Sequence, residues 1–201
     1  MGPLVARVTL SYMITHVREL INDASGTAQV FSDDAIQRHL DAHRVDLYTE
    51  PLAAIPTWTG GGATAYYEYR VGWSWLEATH GGTALFVVQD SLGTVRGTAT
   101  WAEADYQLGR ITFTTNQAGT ALYVTARSYD PYGAAADLLT DWAQKVSLQF
   151  DFSSDQQSFS RSQKQTLLLA AAERYRRAAR PRRVNVTRPD VARAVGTDDD
   201  D

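Results

Sequence analysis

The residues that could do chemistry in this chain are four histidines and a few acidic pairs, since it contains no cysteine. His39 and His43 stand one helical turn apart with Asp46 close behind, which is a spacing that two zinc ligands can use. Zinc requires a further ligand, and the flanking Arg38 and Arg44 oppose a cation. We therefore interpret the two histidines as polar residues on a solvated helix face.

Glu103 and Asp105 are two residues apart in a predicted strand or turn, so their carboxylates share a face as a glycosidase pair would. The residues themselves leave that alternative open. Nucleophile elbows, Walker loops and dinucleotide fingerprints are absent, because the glycine runs GGGAT and HGGT lack the lysine or the glycine spacing that phosphate binding requires. We predict that the protein is not an enzyme and has no catalytic residue, cofactor or metal.

Helical periodicity occupies the first fifth of the chain. A helix is predicted between 9 and 22, where one face is apolar at Leu10, Ile14, Val17 and Ile21. A second helix is predicted for FSDDAIQRHLDAHRVDLY. Ser32 is its natural N-cap, and its apolar stripe extends to Leu47.

Two further helices are predicted after Pro131. The stripe of the first consists of Ala135, Leu138, Leu139, Trp142 and Val146. The second runs from about 160 to 179, with its apolar side at Leu167, Leu168, Ala171 and Tyr175. Ser160 and Gln163 have the S-x-x-Q spacing of a capping box, which places the start of this last helix.

The middle of the chain is rich in glycine, threonine and aromatic residues. Alternation such as that of Leu122, Val124 and Ala126 predicts about five or six antiparallel strands between glycine turns, in a small sandwich or open barrel. Its aromatic side chains could stack on sugars, as in a carbohydrate-binding module. We favour roles in the core and at subunit interfaces, because aromatic residues are good strand formers.

These elements predict the α+β class: a small helical bundle of about four helices, with a large inserted antiparallel β module and an extended C-terminal arm. Residues 1–55 and 129–180 would form the bundle. Residues 56–128 would form the β module, and residues 181–201 the arm.

Charge is segregated at the end of the chain. Eight of the 17 arginines lie between Arg174 and Arg193, and the last four residues are aspartates. Arginines interleaved with alanine and glutamate favour docking to a partner protein over nucleic-acid binding. No signal peptide or membrane span is apparent, so we expect a soluble protein without a membrane partner.

Two stretches, and the order in which they occur, carry a family resemblance: FSDDAIQRHLDAHR and YDPYGAAADLLTDWAQKVSLQFDFSSDQQSFSRSQKQTLLLAAAERYRRAARP. They resemble the head-to-tail adaptor (connector) proteins of tailed bacteriophages and gene transfer agents. The signs are a helix that opens with Ser-Asp-acid-x-Ile, and an alanine-rich helix that ends in a phenylalanine-containing Ser/Asp/Gln loop. The β insertion departs from compact members of that family.

The resemblance implies a structural virion protein, assembled in the bacterial cytoplasm as a ring, usually of twelve copies, beneath the portal protein. Its other face would bind a tail-side stopper or tail completion protein, and DNA would pass through its centre without sequence-specific binding. The C-terminal segment would reach the portal or a neighbouring subunit through Arg180, Arg182, Arg183, Val184, Val186 and Arg188. The alternative is a carbohydrate- or protein-binding β module on a helical scaffold, in a phage tail or another assembly.

Overall fold

A computed structural model describes residues 8–59, 63–147, 152–154, 157–159 and 161–179. Within these residues it contains four α-helices and a large curled antiparallel sheet, which confirms the α+β class. The helices are α1 (Ser11–Ile21), α2 (Asp33–Ala42), α3 (Pro131–Ser147) and α4 (Arg161–Ala178). The arm predicted for residues 181–201 lies outside the described residues.

The strands are β1 (Arg44–Thr59), β2 (Ala63–Arg70), β3 (Leu76–Glu77), β4 (Thr79–His80), β5 (Thr83–Ala84), β6 (Val87–Asp90), β7 (Trp101–Asp105), β8 (Arg110–Phe113), β9 (Leu122–Tyr129), β10 (Phe152–Ser154) and β11 (Gln157–Phe159). Seven of them form the large sheet in the order β3, β9, β1, β2, β8, β7, with β6 also paired to β9. Strands β4 and β5 pair with each other, as do β10 and β11 between α3 and α4.

Strand β1 is shared between two partners. Its first half pairs with β9, from Arg44 opposite Tyr129 to Leu52 opposite Leu122. Its second half pairs with β2, up to Thr59 opposite Ala63. Because α2 leads into β1 and α3 follows β9, the helices lie at the end of the sheet where β1 begins. We call this the helix-proximal end, and the end with the β1–β2 hairpin the helix-distal end.

The sheet curls until its two sides meet near the helices. The backbone N–H of Leu76 donates to the carbonyl of Tyr106 at 2.8 Å, and that of Trp75 donates to Gln107 at 3.1 Å. Further along, the ring of Phe86 packs edge to face on Trp101, with centroids 5.8 Å apart. The result is an open barrel with a filled interior.

Two hydrophobic clusters result from this arrangement. The helical cluster contains the four predicted apolar residues of α1, all buried, with side chains from α2, α3 and α4. The sheet cluster contains the alternating residues predicted for β9, and the other inward residues include Leu47, Tyr69, Val88, Ile111 and Phe113. The division of the chain into domains stays a prediction.

One predicted boundary was wrong. The second helix was expected to continue through Tyr48, but α2 ends at Ala42 and β1 begins at Arg44. Leu47, placed by its spacing on the helical stripe, lies opposite Ala126 and is buried in the sheet cluster. Pairing with a strand about 80 residues later in the sequence overrides a weak local helical preference. The second helix therefore ends six residues earlier than its sequence pattern indicated.

Candidate functional site

A buried carboxylate joins the helices to the sheet. Glu77 of β3 is fully buried, and its Oε1 accepts a hydrogen bond from Thr9 Oγ1 at 3.0 Å. Its Oε2 accepts one from Tyr129 Oη at 2.6 Å, and Arg127 Nη1 lies 4.0 Å away. Thr9 precedes α1 and Tyr129 ends β9, so this carboxylate ties the first helix to the sheet. Its partners offset the cost of burying a charge.

Tyr12 of α1 strengthens the same junction. Its Oη donates a hydrogen bond to the carbonyl of Leu76 at 2.7 Å. Burial, with the nearby carboxylates of Glu77 and Asp105, raises the pKa of Tyr12, so its hydroxyl stays a donor. The Tyr12 ring stacks on Trp75, whose φ of 57° is unusual for a non-glycine residue. Packing of Trp75 against the helical cluster holds that strained backbone in place.

A second polar cluster closes the connection between α1 and α2. Arg18 is only 6% exposed, and its Nη2 donates to Asp33 Oδ1 at 2.6 Å and to the carbonyl of Phe31 at 2.8 Å. Its Nη1 donates to Asp23 Oδ2 at 3.2 Å. Asp23 also accepts the backbone N–H groups of Val30 and Phe31. The buried charges are thus paired, and they fix the turn between the helices.

An open groove of about 640 Å³ runs along α1 beside this cluster. Glu19 and Asp33 line it with side chains 70% and 58% exposed. Its other end is formed by Asn22 and Ser25, at the C-terminal end of α1. We call this the α1 groove. With Asp23 also lining it and Arg18 as a cation in the wall, its acidic side chains outnumber the basic one.

The two histidines are not on a solvated face, contrary to the interpretation from sequence. His43 Nε2 lies 2.7 Å from Asp137 Oδ2, and His39 Nε2 lies 3.3 Å from Asp141 Oδ2. Both pairs bridge α2 and α3, and both histidine side chains are about three quarters buried, with 20% and 25% exposed. Gly133 makes this approach possible, because a Cβ there would lie 2.6 Å from His43 Nδ1.

The helix-distal end of the sheet is apolar and exposed. Trp58 near the β1–β2 turn is 73% exposed, although the other four tryptophans are at least half-buried. No charged residue occurs from 51 to 67. Beyond Ile55, β1 pairs with β2, and β2 has no other partner there among the described strands, so this outer part is a two-stranded hairpin, which has little stability of its own. This uncharged hairpin is therefore a candidate contact surface.

A tight turn lies at the same end, because Asp90 pairs with Leu122. Asp90 Oδ1 accepts the backbone N–H groups of Thr94 and Leu92, both at 2.9 Å. These hydrogen bonds, with Arg96 nearby, hold the pKa of Asp90 below its usual value. The turn presents Leu92, which is 90% exposed, on a fixed backbone.

At the helix-proximal end, α4 packs one face on the helical cluster and leaves the rest exposed. Leu168, Ala171 and Tyr175 contact the cluster as predicted. Leu167 was expected on the same side but is 70% exposed, and Ala172 is buried instead. The close approach of α4 to α3 favours the small Ala172 at the contact, so the predicted stripe was right at three of its four residues and wrong at Leu167.

The predicted site residues have different outcomes. Ser32 Oγ accepts a hydrogen bond from the backbone N–H of Ala35 at 3.2 Å, so it caps α2. Gln163 lies in the first turn of α4 and is exposed. Ser160 lies outside the described residues, as do the predicted contact residues Arg180, Arg182, Arg183, Val184, Val186 and Arg188. Their role stays a prediction.

The acidic pair considered for glycosidase chemistry is used structurally. Glu103 Oε1 lies 3.6 Å from Arg110 Nη2 on the neighbouring strand. Asp105 Oδ1 accepts the backbone N–H groups of Gln107 and Leu108 in the turn between β7 and β8. In the described part of the chain, no group of three or more His, Cys, Asp or Glu is placed to hold a metal ion. None of the described helices is both long and apolar enough to cross a lipid bilayer.

Comparison of the chain with protein-family models, with curated proteins and with solved structures found no match. The interpretation of the surfaces therefore depends on their own geometry and chemistry. Sequence reasoning missed the junction at Glu77 and the Arg18 cluster, since neither has a local motif. Only the absence of charge from 51 to 67 could have indicated the exposed hairpin.

Proposed function

We propose that this protein is a head-to-tail adaptor of a tailed bacteriophage or gene transfer agent. In this role it is a structural subunit of a ring, without enzymatic activity, placed between the portal protein and a tail-side component in the virion. DNA passes through the ring without sequence-specific contacts. The resemblance of the helical segments to that family motivates the proposal.

The observation that carries the proposal is that exposed apolar side chains occur at both ends of the molecule. Leu167 and Leu169 are exposed on α4, which belongs to the helical part. Trp58 and Leu92 are exposed at the helix-distal end of the sheet. A protein that joins two partners needs a contact surface at each end, and exposed apolar side chains are available at both ends for such contacts.

The contacts between the helices and the sheet also fit a subunit that holds two partners in a fixed relative position. Glu77, Tyr12 and Trp75 join the helical cluster to the sheet through hydrogen bonds and ring contacts. A surface bound at one end is therefore held in a fixed relation to the other end. In the described residues the polar side chains with notable burial, such as Arg18 and Glu77, are engaged in such structural contacts.

Deletion of residues 181–201 tests the proposal directly. We expect the truncated protein to stay folded, because both described hydrophobic clusters lie outside the deleted segment. We expect it to lose attachment to portal-bearing capsids, since the Arg- and Val-containing segment supplies the portal or neighbour contact. Unchanged attachment would contradict that role for the segment. Cryo-electron microscopy of native particles that contain the protein would then show whether it forms a ring at the portal vertex; its presence elsewhere in the particle would overturn the function.

A further inference from the structure

The α1 groove and helix α4 lie on different sides of α1. Tyr175 Oη of α4 donates a hydrogen bond to the carbonyl of Leu20 at 2.7 Å, and Leu20 packs against the helical cluster. Thr15 lines the groove and is exposed. Because successive residues of an α-helix are about 100° apart, Thr15 is about 140° around α1 from Leu20. Helix α4 of the same molecule therefore does not cover the groove.

The surface of α4 that points away from the bundle is basic. Ala170, Arg174 and Arg177 are exposed, and each is about 140° to 160° around the helix from the buried Ala172. They line a shallow concavity of about 570 Å³. Glu173 also lines it but is already paired, at 2.6 Å, with another arginine of α4. Neither Arg174 nor Arg177 is paired with a carboxylate among the described residues. We call these three exposed residues the α4 outer face.

The groove keeps free acceptors after its own arginine is counted. Nε and Nη2 of Arg18 both donate to Asp33 Oδ1, so Asp33 Oδ2 has no partner within the described ranges. Glu19 is 70% exposed, and its carboxylate lies 3.6 Å from His16 Nδ1. Asp23 is buried against Arg18 and takes no part. Glu19 and Asp33 can thus receive an outside cation at the C-terminal end of α1, where the helix dipole also favours positive charge.

The shapes of the two surfaces also match. Ser11 and Thr15, exposed one turn apart along the groove, have short side chains, as does Ala170 on α4. Short side chains on both helices allow their axes to approach to about 8 to 10 Å. Four residues separate Ala170 from Arg174, as four separate Thr15 from Glu19. Parallel helices would therefore place alanine beside threonine and arginine beside glutamate at the same time.

We propose that the α4 outer face of one copy packs in the α1 groove of a second copy, with Arg174 and Arg177 paired to Glu19 and Asp33. Guanidinium groups suit such contacts because they pair with carboxylates in two-pronged geometry. The contact is head-to-tail, so each added copy presents a further groove or outer face, and the series closes into a ring where the rotation permits. The inference does not depend on the adaptor function, because self-association is a property of the isolated protein.

Disulfide formation between two single-cysteine variants of the full-length protein tests this contact. The chain has no cysteine, so every disulfide in a mixture joins two copies. The test mixture combines Thr15→Cys with Ala170→Cys. The control mixture combines Thr15→Cys with Ala102→Cys, since Ala102 is an exposed alanine on β7 of the sheet. Under mild oxidation the mixed disulfide should form roughly tenfold faster in the test mixture, because the contact raises the effective concentration of the thiols.

Charge reversal tests the pairing itself. Glu19→Lys in the groove copy, or Arg174→Glu in the other copy, should each slow the mixed disulfide about fivefold, because an attraction becomes a repulsion. With both changes present, opposite charges face each other again, and the rate should return to within about twofold of its starting value. Glu103→Lys, at a carboxylate 64% exposed on the sheet, should leave the rate unchanged. Each rate is divided by the reactivity of its thiols with a small disulfide reagent, since nearby charges change the thiolate fraction.

Equal normalised rates in the test and control mixtures would overturn the proposal. A like dimer of the Thr15→Cys variant as the main product would also overturn it, since two grooves would then face each other. Failure of the doubly reversed mixture to recover would reject the pairing of the two helices. Circular dichroism confirms that each variant is folded before its rate is compared. Because the assay uses the isolated protein, failure here leaves the adaptor function to be judged by the capsid experiment alone.

Discussion

In the helical part, the largest buried polar group is an arginine held by two aspartates, whereas the sheet cluster is filled by tyrosine, phenylalanine and aliphatic side chains. The exposed surfaces differ in the same way. The helical part presents an acidic groove and a basic helix end, and the helix-distal end of the sheet presents an uncharged hairpin. The two ends are thus suited to contacts with opposite sensitivity to salt, since screening acts on charges and leaves apolar contacts in place.

The largest expected effect comes from Arg18→Met, which tests whether the helical part depends on its buried ion cluster. The substitution leaves Asp23 buried without its cationic partner, so the free energy of unfolding should fall by about 3 to 5 kcal/mol. Urea unfolding followed by circular dichroism measures it. The matched control is Arg70→Met on the sheet, whose side chain is 57% exposed. For Arg70→Met the free energy of unfolding should fall by less than about 1 kcal/mol. Equal losses in the two variants would show that the helical part does not depend specifically on its buried ion cluster.

Glu77→Ala tests whether the two parts unfold together. It leaves the hydroxyls of Tyr129 and Thr9 without their acceptor, at a cost of about 2 to 3 kcal/mol. We also expect tryptophan fluorescence and circular dichroism to report different unfolding midpoints in this variant and coincident midpoints in the unmodified protein. Glu103→Ala, at an exposed carboxylate, should leave the midpoints coincident. Coincident midpoints in Glu77→Ala would show that other contacts suffice to couple the parts.

Gly133→Ala probes the contact between α2 and α3. The added Cβ would lie 2.6 Å from the His43 ring, a clash worth about 1 to 3 kcal/mol, against a gain in helix propensity of up to about 1 kcal/mol. A net loss of about 1 kcal/mol is expected in thermal unfolding. Combination with His43→Ala should remove the clash, so the double variant should be more stable than the sum of the two single changes predicts. Strict additivity would mean that the ring moves aside freely.

Trp58→Ser has the smallest expected effect on stability, below about 0.5 kcal/mol, because its side chain is largely exposed. Under the proposed adaptor function, with the exposed hairpin facing the tail-side component, attachment to that component should nevertheless be lost, and attachment of the unmodified protein should be insensitive to salt. Tyr48→Ser is the matched control, since Tyr48 is on the same strand, equally exposed, and near the helices. Loss of attachment with Tyr48→Ser alone would place the contact at the helix-proximal end.

Local sequence patterns predicted the structure correctly where a helix or strand depends mainly on its own residues. Three predicted features depend only on residues within one helix or one strand, and the structure has all of them: the apolar stripe of α1, the N-cap at Ser32 and the alternation in β9. The end of α2 was missed because Leu47 continues the helical spacing of Ile36 and Leu40 by coincidence. The pairing with β9 that places Leu47 in a strand comes from distant sequence.

The candidate surfaces were harder to predict for a related reason. Asp137 is 94 residues from His43, and Thr9 is 68 residues from Glu77, so no spacing rule links either pair. Exposure of Trp58 depends on where β9 stops along β1, which is a property of the sheet register. The sequence shows which residues are polar or charged, but the fold determines which of them are in contact.

The sharing of β1 between two partners has a mechanical consequence. The strand runs from the end of α2 to Thr59 in the exposed hairpin, with register shifts between Leu47 and Glu50 and between Ile55 and Thr57, and would be about 50 Å long if fully extended. Its hydrogen bonds to β9 and β2 lie across the strand, so a pull along its length loads many of them at once in shear. Tension applied at Trp58 would be carried to His43 and α2 along one covalent chain, and the hairpin would resist it far better than a force that peels the strands apart one bond at a time.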